Sequence, residues 1–294
     1  MLTRVVLFML TNLAVLVVLT FVMGLLSAAG VVPAGGEEFV GLIIFASLFG
    51  FGGAFISLAL SKWVAKRATG AQVITAPRSS AEVWLVERVT ALSAQAGIGT
   101  PEVAVYPSPD PNAFATGARR NAALVAVSQG LMDSMSRDEV EGVLAHEVAH
   151  VANGDMVTMT LLQGVLNTFV IVFSRIFGSI IDNALRGNRG GERGYGRGPG
   201  YWLATIFAEI VLGILATVVV MWFSRWREFR ADAGAARLAG TDKMVAALER
   251  LRRLQGGGNL PPSIQAFGIR GVMGGLFRSH PPLEDRIDRL RGLM

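Results

Sequence analysis

The sequence predicts an α+β, mainly helical fold, in which transmembrane helices carry one domain of ordinary globular size. Three observations predict it. The 294 residues are 52% hydrophobic and only 17% charged, whereas soluble domains carry roughly 25% charged residues. The apolar residues are gathered into long runs rather than spread along the chain. Between the runs lie stretches of normal polarity with helix caps and short β-branched segments.

The first apolar run covers residues 5–29, interrupted only by uncharged polar residues such as Thr11 and Asn12. It exceeds the ~20 residues that cross a bilayer and the roughly 7–15 of a signal-peptide core, so it reads as a retained helix. A turn with Pro33, Gly35, Gly36, Glu37 and Glu38 follows. The second run, residues 39–60, ends at Lys62, Lys66 and Arg67. The positive-inside rule holds that cluster in the cytoplasm.

Residues 68–155 read as a mixed α/β region. Ser80 can cap a helix reaching Gln95, with Val83, Val86, Val89 and Leu92 at helical spacing. Residues 103–106 and 122–127 are strand candidates. Ser136 and Glu139 then form a capping-box pattern that opens a helix ending near Asn153, with Gly154 closing it.

Two more apolar runs cover residues 156–181 and 202–223, and each contains one charge, Arg175 and Glu209. Charges there usually face the bundle and pair. Folding the two runs into an antiparallel hairpin sets Arg175 opposite Glu209, which predicts an ion pair. The connecting loop, 183–200, is rich in Gly and Arg. Its charge opposes a cytoplasmic catalytic helix, so either the first helix pair sets the topology or the second does not fully span. The remainder, 225–294, reads as charged helices broken by glycines and prolines. The expected division is therefore 1–67 and 156–224 for the membrane anchor, with 68–155 and 225–294 for the globular domain.

The net charge of +5 is mostly arginine. No basic stripe with interleaved aromatics accompanies it, which argues against nucleic acid. There is no cysteine, which excludes disulfides and thiolate metal sites and fits a reducing compartment.

The chemistry sits on the helix that Ser136 opens. His146-Glu147-Val148-Ala149-His150 fits H-E-x-x-H, and two of the three histidines of the chain lie in it. Positions i and i+4 share a helix face, so both imidazoles can reach one Zn²⁺. Glu147 stands next to the first ligand, where it can take a proton from a polarised water as general base. Zinc needs a third protein ligand. The extended H-E-x-x-H-x-x-G-x-x-H pattern fails, because Asn153 and Met156 occupy its glycine and histidine positions. A later glutamate is the alternative. Glu228 qualifies, with Asp232 one turn on to accept the second N–H of a ligating imidazole. Glu228 equally reads as a solvated charge paired with Arg225 or Arg230, and Glu249 is a weaker rival.

At these residues the sequence resembles the M48 metallopeptidases. The likeness runs through residues 146–156, the third and fourth apolar segments, residues 224–232 and residues 279–283. It implies a gluzincin-like metalloprotease domain with one Zn²⁺ per chain, Glu228 as the third ligand and Asp232 behind it. It also implies a multi-pass protein of the bacterial inner membrane that clears misfolded or damaged membrane proteins at the cytoplasmic face under stress. The partners are then membrane lipid and unfolded or membrane-protein substrates, with no nucleic acid. A specific processing protease and a non-enzymatic scaffold with a relic zinc site are the rival readings.

Further residues carry two readings each. His280 is either a donor to the oxyanion formed during attack or a turn histidine beside two prolines. Arg286 either positions substrate or Asp232, or is a surface-helix charge. In the proteases resembled, the segment with Asn112, Ala113 and Phe114 lines the cleft and pairs with extended substrate. The plainer alternative is a loop with one buried phenylalanine.

Overall fold

The computed structural model describes residues 17, 21, 25, 28, 36–186, 198–256 and 280–292. Two compact units form, Met1–Ile56 with Thr160–Val220 and Ser57–Met159 with Met221–Met294. The unit boundaries fall inside three long helices: α1 (Gly36–Thr69), α5 (Asp155–Arg186) and α6 (Pro199–Ala239).

In the first unit, α1, α5 and α6 supply the spans. The stretches Val40–Thr69, Asp155–Leu185 and Pro199–Ala239 are long and apolar enough to cross a membrane. Ile43 and Ala46 of α1 bury against Val172 and Ile176 of α5. Large apolar side chains such as Phe49, Ile56, Phe207 and Ile210 are exposed, as lipid-facing residues must be. The Arg175 guanidinium lies 3.1 Å from the Glu209 carboxylate, so the expected cross-hairpin pair is present. The first apolar run lies outside the described residues except for Val17, Phe21, Leu25 and Ala28, which are helical. The centre of the arginine-rich loop, 187–197, also lies outside them.

The second unit is built on a four-stranded sheet: β1 (Gln72–Val73), β2 (Glu102–Tyr106), β3 (Ala113–Thr116) and β4 (Leu124–Ser128). The spatial order is β1-β2-β4-β3. β2 and β4 pair in parallel, while β1 and β3 flank them antiparallel. A central parallel pair is covered on both faces, which explains why every residue of β4 is buried. One face, with Val103, Val125 and Val127, packs with α2 (Ser80–Gln95) through Leu85, Val89 and Leu92. It also packs with α4 (Arg137–Asn153) through Val140, Leu144 and Val148. The short α3 (Gln129–Ser134) connects β4 to α4. α7 (Thr241–Gly256) and α8 (Leu283–Arg291) close this core with Met244, Leu248, Ile287 and Leu290.

Two local expectations change. The cap of α2 is Ser79, whose hydroxyl accepts from the Glu82 N–H, and not Ser80. The Glu82 side chain, accepting from the Arg78 N–H, completes the cap one residue earlier than expected. Residues 113–116, not among the strand candidates, form a strand at the sheet edge, so the loop alternative for this segment fails. The α4 capping box forms as expected: the Glu139 N–H donates to the Ser136 hydroxyl, and the Ser136 N–H donates to the Glu139 carboxylate.

α1 runs past the expected end of its apolar run, and its last turns belong to this unit. Lys62 donates to the Glu102 carboxylate at 2.8 Å and to the Ala122 carbonyl at 2.9 Å. The helix end is thereby fastened to the sheet.

Candidate metal centre and active site

α4 positions the first two groups. His146 and His150 lie one turn apart on its inward face and are 7% and 6% exposed. Their Nε2 atoms are 3.1 Å apart, and the ring planes stand at 89°. Gly154 ends the helix with φ 71°, a left-handed conformation that glycine adopts without steric cost. The chain turns sharply there, and Asp155 opens α5 immediately after. Its carboxylate reaches back to His150 Nδ1 at 2.6 Å.

The third group comes from α6. Gly234 lets that helix approach α4 closely, since a methyl group there would stand 2.8 Å from the Ala149 Cβ. The approach brings buried Glu228 to the two imidazoles. Its oxygens lie 3.3 Å from His150 Nε2 and 3.4 Å from His146 Nε2. One turn further on, Asp232 meets His146 Nδ1 at 2.9 Å. α8 closes the arrangement: Arg286 donates from Nε and Nη2 to the two Asp232 oxygens at 2.8 and 2.6 Å.

The donor set fits a divalent cation. Each Nδ1 faces a carboxylate, so with a cation bound an Nδ1–H donated there would fix the tautomer and present an Nε2 lone pair from each ring. Two such lone pairs at 3.1 Å, facing a carboxylate, repel unless a positive charge lies between them. Tetrahedral zinc with bonds of ~2.0–2.1 Å would set its ligands about 3.3 Å from one another; the two nitrogens here are 3.1 Å apart, and the two oxygens of the Glu228 carboxylate stand 3.4 and 3.3 Å from one nitrogen each. His146, His150 and Glu228 thus form a buried group able to hold a metal ion.

The surroundings favour positive charge. Burial pushes the His150 pKa down, but Asp155 and Glu228 outweigh it, and the group is pushed up to about 9. His146 is raised in the same way, with burial opposed by Asp232 and Glu228. Arg286 loses solvent on burial, yet Asp232 holds its pKa above the ordinary arginine value.

A cleft of about 680 Å³ opens on this centre. Glu147, half-buried beside His146, lines it together with Asn112, Ala113, Glu228, His280 and Arg286. A larger cleft of about 750 Å³ lies near β1 and α3. It contains none of the residues that the sequence singled out, so size does not mark the chemistry here.

His280 is largely exposed, and its Nδ1 lies 2.7 Å from Glu228 Oε2. It therefore touches the centre and is more than a turn residue. Arg286 is 6% exposed; the surface-charge reading fails because α8 turns this side chain into the core. Phe114 is a correction. Strand alternation turns it away from the cleft to the opposite sheet face, where its ring meets Tyr106 at 5.5 Å. Glu249 pairs with Arg291 at 2.6 Å and stands apart from the centre.

The sequence reading missed Asp155 and its partner Arg227, whose Nε lies 3.2 Å from Asp155 Oδ1 as an ion contact without hydrogen-bond geometry. The usable signal was an acid directly after the helix-ending glycine of the motif helix.

Comparison with known proteins agrees with this geometry. The model of peptidase family M48 matches residues 79–294. A protein named Protease HtpX from Alkalilimnicola ehrlichii is 58% identical, over 98% of this chain and 97% of its own. Another of that name, from Stenotrophomonas maltophilia, is 60% identical over 99% and 98%. The crystal structure of S. mikatae Ste24p shares the fold, with a TM-score of 0.61 at 18% identity, covering 93% of this chain and 67% of that one. A helix carrying the H-E-x-x-H pair, a glutamate brought to it by a later helix, and this extent of identity lead to one conclusion: the chain is a membrane metalloprotease that belongs to peptidase family M48.

Proposed function

We propose that this protein is a zinc-dependent endopeptidase that cleaves misfolded or damaged membrane proteins at the cytoplasmic face of the inner membrane. The observation that carries the zinc reading is the buried meeting of His146 Nε2, His150 Nε2 and the Glu228 carboxylate: the nitrogens are 3.1 Å apart, and Glu228 Oε2 and Oε1 stand 3.4 and 3.3 Å from His146 and His150 respectively. A two-nitrogen, one-oxygen set with a fourth position open is the donor chemistry of catalytic zinc.

Zinc, when bound, supplies a Lewis acid for a water molecule and a peptide carbonyl. The chain supplies the rest. Glu147 takes the proton of the attacking water and returns it to the departing amine. Asp232 and Asp155 hold the ring orientation of His146 and His150. Arg286 compensates the buried charge of Asp232. His280 binds Glu228 through Nδ1, which leaves its other ring nitrogen as the candidate donor to the developing oxyanion. Ala113, the first residue of the edge strand β3, offers backbone to an extended substrate, with Asn112, whose own N–H and C=O are both taken up by Ser128, lining the cleft beside it. Pairing of this kind reads backbone rather than sequence, which suits unfolded segments of many proteins.

In this reading residues 1–67 and 156–224 are the anchor, and residues 68–155 with 225–294 make the protease domain. Lys62, Lys66 and Arg67 at the end of the second apolar run support a cytoplasmic site, with the first helix pair setting the topology. The test is Glu147→Gln in the detergent-purified chain. It is expected to retain zinc while casein cleavage falls by about 10²–10⁴-fold, the usual contribution of a general base. Cleavage at the wild-type rate would refute the mechanism. Glu228→Ala is expected to lose the zinc itself.

A further inference from the structure

We propose that two Trp–Arg pairs, on α1 and on α6, form an interfacial belt that binds anionic phospholipid headgroups and holds the metal centre at headgroup depth. The part concerning depth rests on the protease reading above; the lipid site does not.

The pairs are built alike. On α1, Trp63 is 60% exposed and the Arg67 guanidinium lies 5.8 Å from its ring centroid. On α6, Trp226 is 46% exposed with Arg230 at 5.1 Å. Both are Trp-x-x-x-Arg at i and i+4, and both follow directly on the end of an apolar run. Exposed tryptophan is costly in water and is favoured at the boundary between acyl chains and headgroups. The neighbouring lysines contrast with the arginines. Lys62 and Lys66 are both committed to Glu102. Among the described residues neither Arg67 nor Arg230 meets a carboxylate, and each is exposed. A planar cation held over an indole suits a phosphate oxygen.

The belt and the centre share two turns of α6. At about 100° per residue, Trp226 and Arg230 lie on the face opposite Glu228 and Asp232. Glu228 is two residues from Trp226 along the axis, a rise of ~3 Å. A belt fixed at the headgroups therefore fixes Glu228 there too. Substrates would be cut in segments bordering their own membrane helices.

The test compares wild type with Arg67→Gln/Arg230→Gln as full-length chains in phosphatidylcholine nanodiscs with increasing phosphatidylglycerol. Tryptophan emission gives the midpoint, and Trp63→Phe/Trp226→Phe identifies the belt's share of the signal. Each arginine removed is expected to raise the midpoint about fivefold, the worth of one basic residue at an anionic surface. The Arg67→Lys/Arg230→Lys chain should recover much of the wild-type midpoint. Lipids brominated just below the headgroup should quench the belt signal more than lipids brominated at the chain ends. Equal midpoints in wild type and the glutamine variant would overturn the proposal, as would quenching from chain ends alone. Inorganic phosphate reproducing the shift would overturn the assignment to a bilayer. Casein cleavage in detergent, expected unchanged in the glutamine variant, reports folding. Its absence in wild type would defeat the protease reading while leaving the lipid midpoint intact.

Discussion

His150 Nδ1 lies 2.6 Å from Asp155, the first residue beyond the left-handed glycine that ends the motif helix. The contact orients the ring whose Nε2 faces Glu228. Asp155 is itself buried, at 4% exposure, against Arg227. Removing the carboxylate leaves His150 free to change tautomer or rotate. Asp155→Ala is expected to lower metal affinity by about 10–100-fold, the usual cost of losing such a partner. Competition against a chromogenic chelator measures it. Unchanged affinity would show that His150 is held by packing alone.

The close passage of α6 over α4 is a second point of control, made by residues that are not themselves ligands. Gly234→Ala sets two methyl carbons 2.8 Å apart, closer than they can stand, so the helices must separate. The displacement falls six residues from Glu228 and is expected to reduce metal content and cleavage together. Ala149→Gly in the same chain removes the opposing methyl and should restore both. The double variant behaving like Gly234→Ala would disprove the steric account.

These two relationships show what was and was not legible in the sequence. His146, Glu147 and His150 were readable because a helix repeat and a capping box are local patterns, and both lie within α4. Glu228 stayed open between ligand and surface charge, because spacing along the chain does not show that Gly234 admits a close helix crossing. Asp155 was passed over because it stands beyond Gly154, outside the periodic pattern, and only the φ of 71° turns it back. The burial of Arg286 is set by α8 packing into the core, a tertiary fact with no local mark. The strands Gln72–Val73 and Ala113–Thr116 are two and four residues long, too short for alternation to register.

Arg286 and Asp232 form a fork-like pair with both groups buried, at 6% and 2% exposure. Deleting one member strands the other's charge. Arg286→Gln is expected to destabilise the protease unit by about 3–5 kcal/mol. That corresponds to a fall in Tm on the order of 10 °C. Adding Asp232→Asn removes the stranded charge and should recover most of the Tm while metal affinity stays below wild type. Differential scanning fluorimetry with a parallel zinc assay separates the two effects. A Tm unmoved by Arg286→Gln would mean that solvent reaches Asp232.

Arg175 and Glu209 test the membrane unit without touching the centre. Their 3.1 Å contact joins α5 to α6, and Arg175 also lies 5.5 Å from the Phe45 ring of α1. Glu209 is only partly covered, with its side chain 41% exposed, so the contribution of the pair depends on how far lipid excludes water from it. Arg175→Glu sets two carboxylates against one another, and Glu209→Arg sets two guanidiniums. Each single reversal is expected to lower the yield of membrane-inserted protein and its resistance to detergent unfolding. The double reversal restores opposite charges at the same two positions and should recover part of both losses. Recovery will be incomplete, because a glutamate at 175 forfeits the contact with Phe45. A double variant as weak as the worse single one would show that the two charges act independently, and that the α5–α6 hairpin is held by its apolar packing alone.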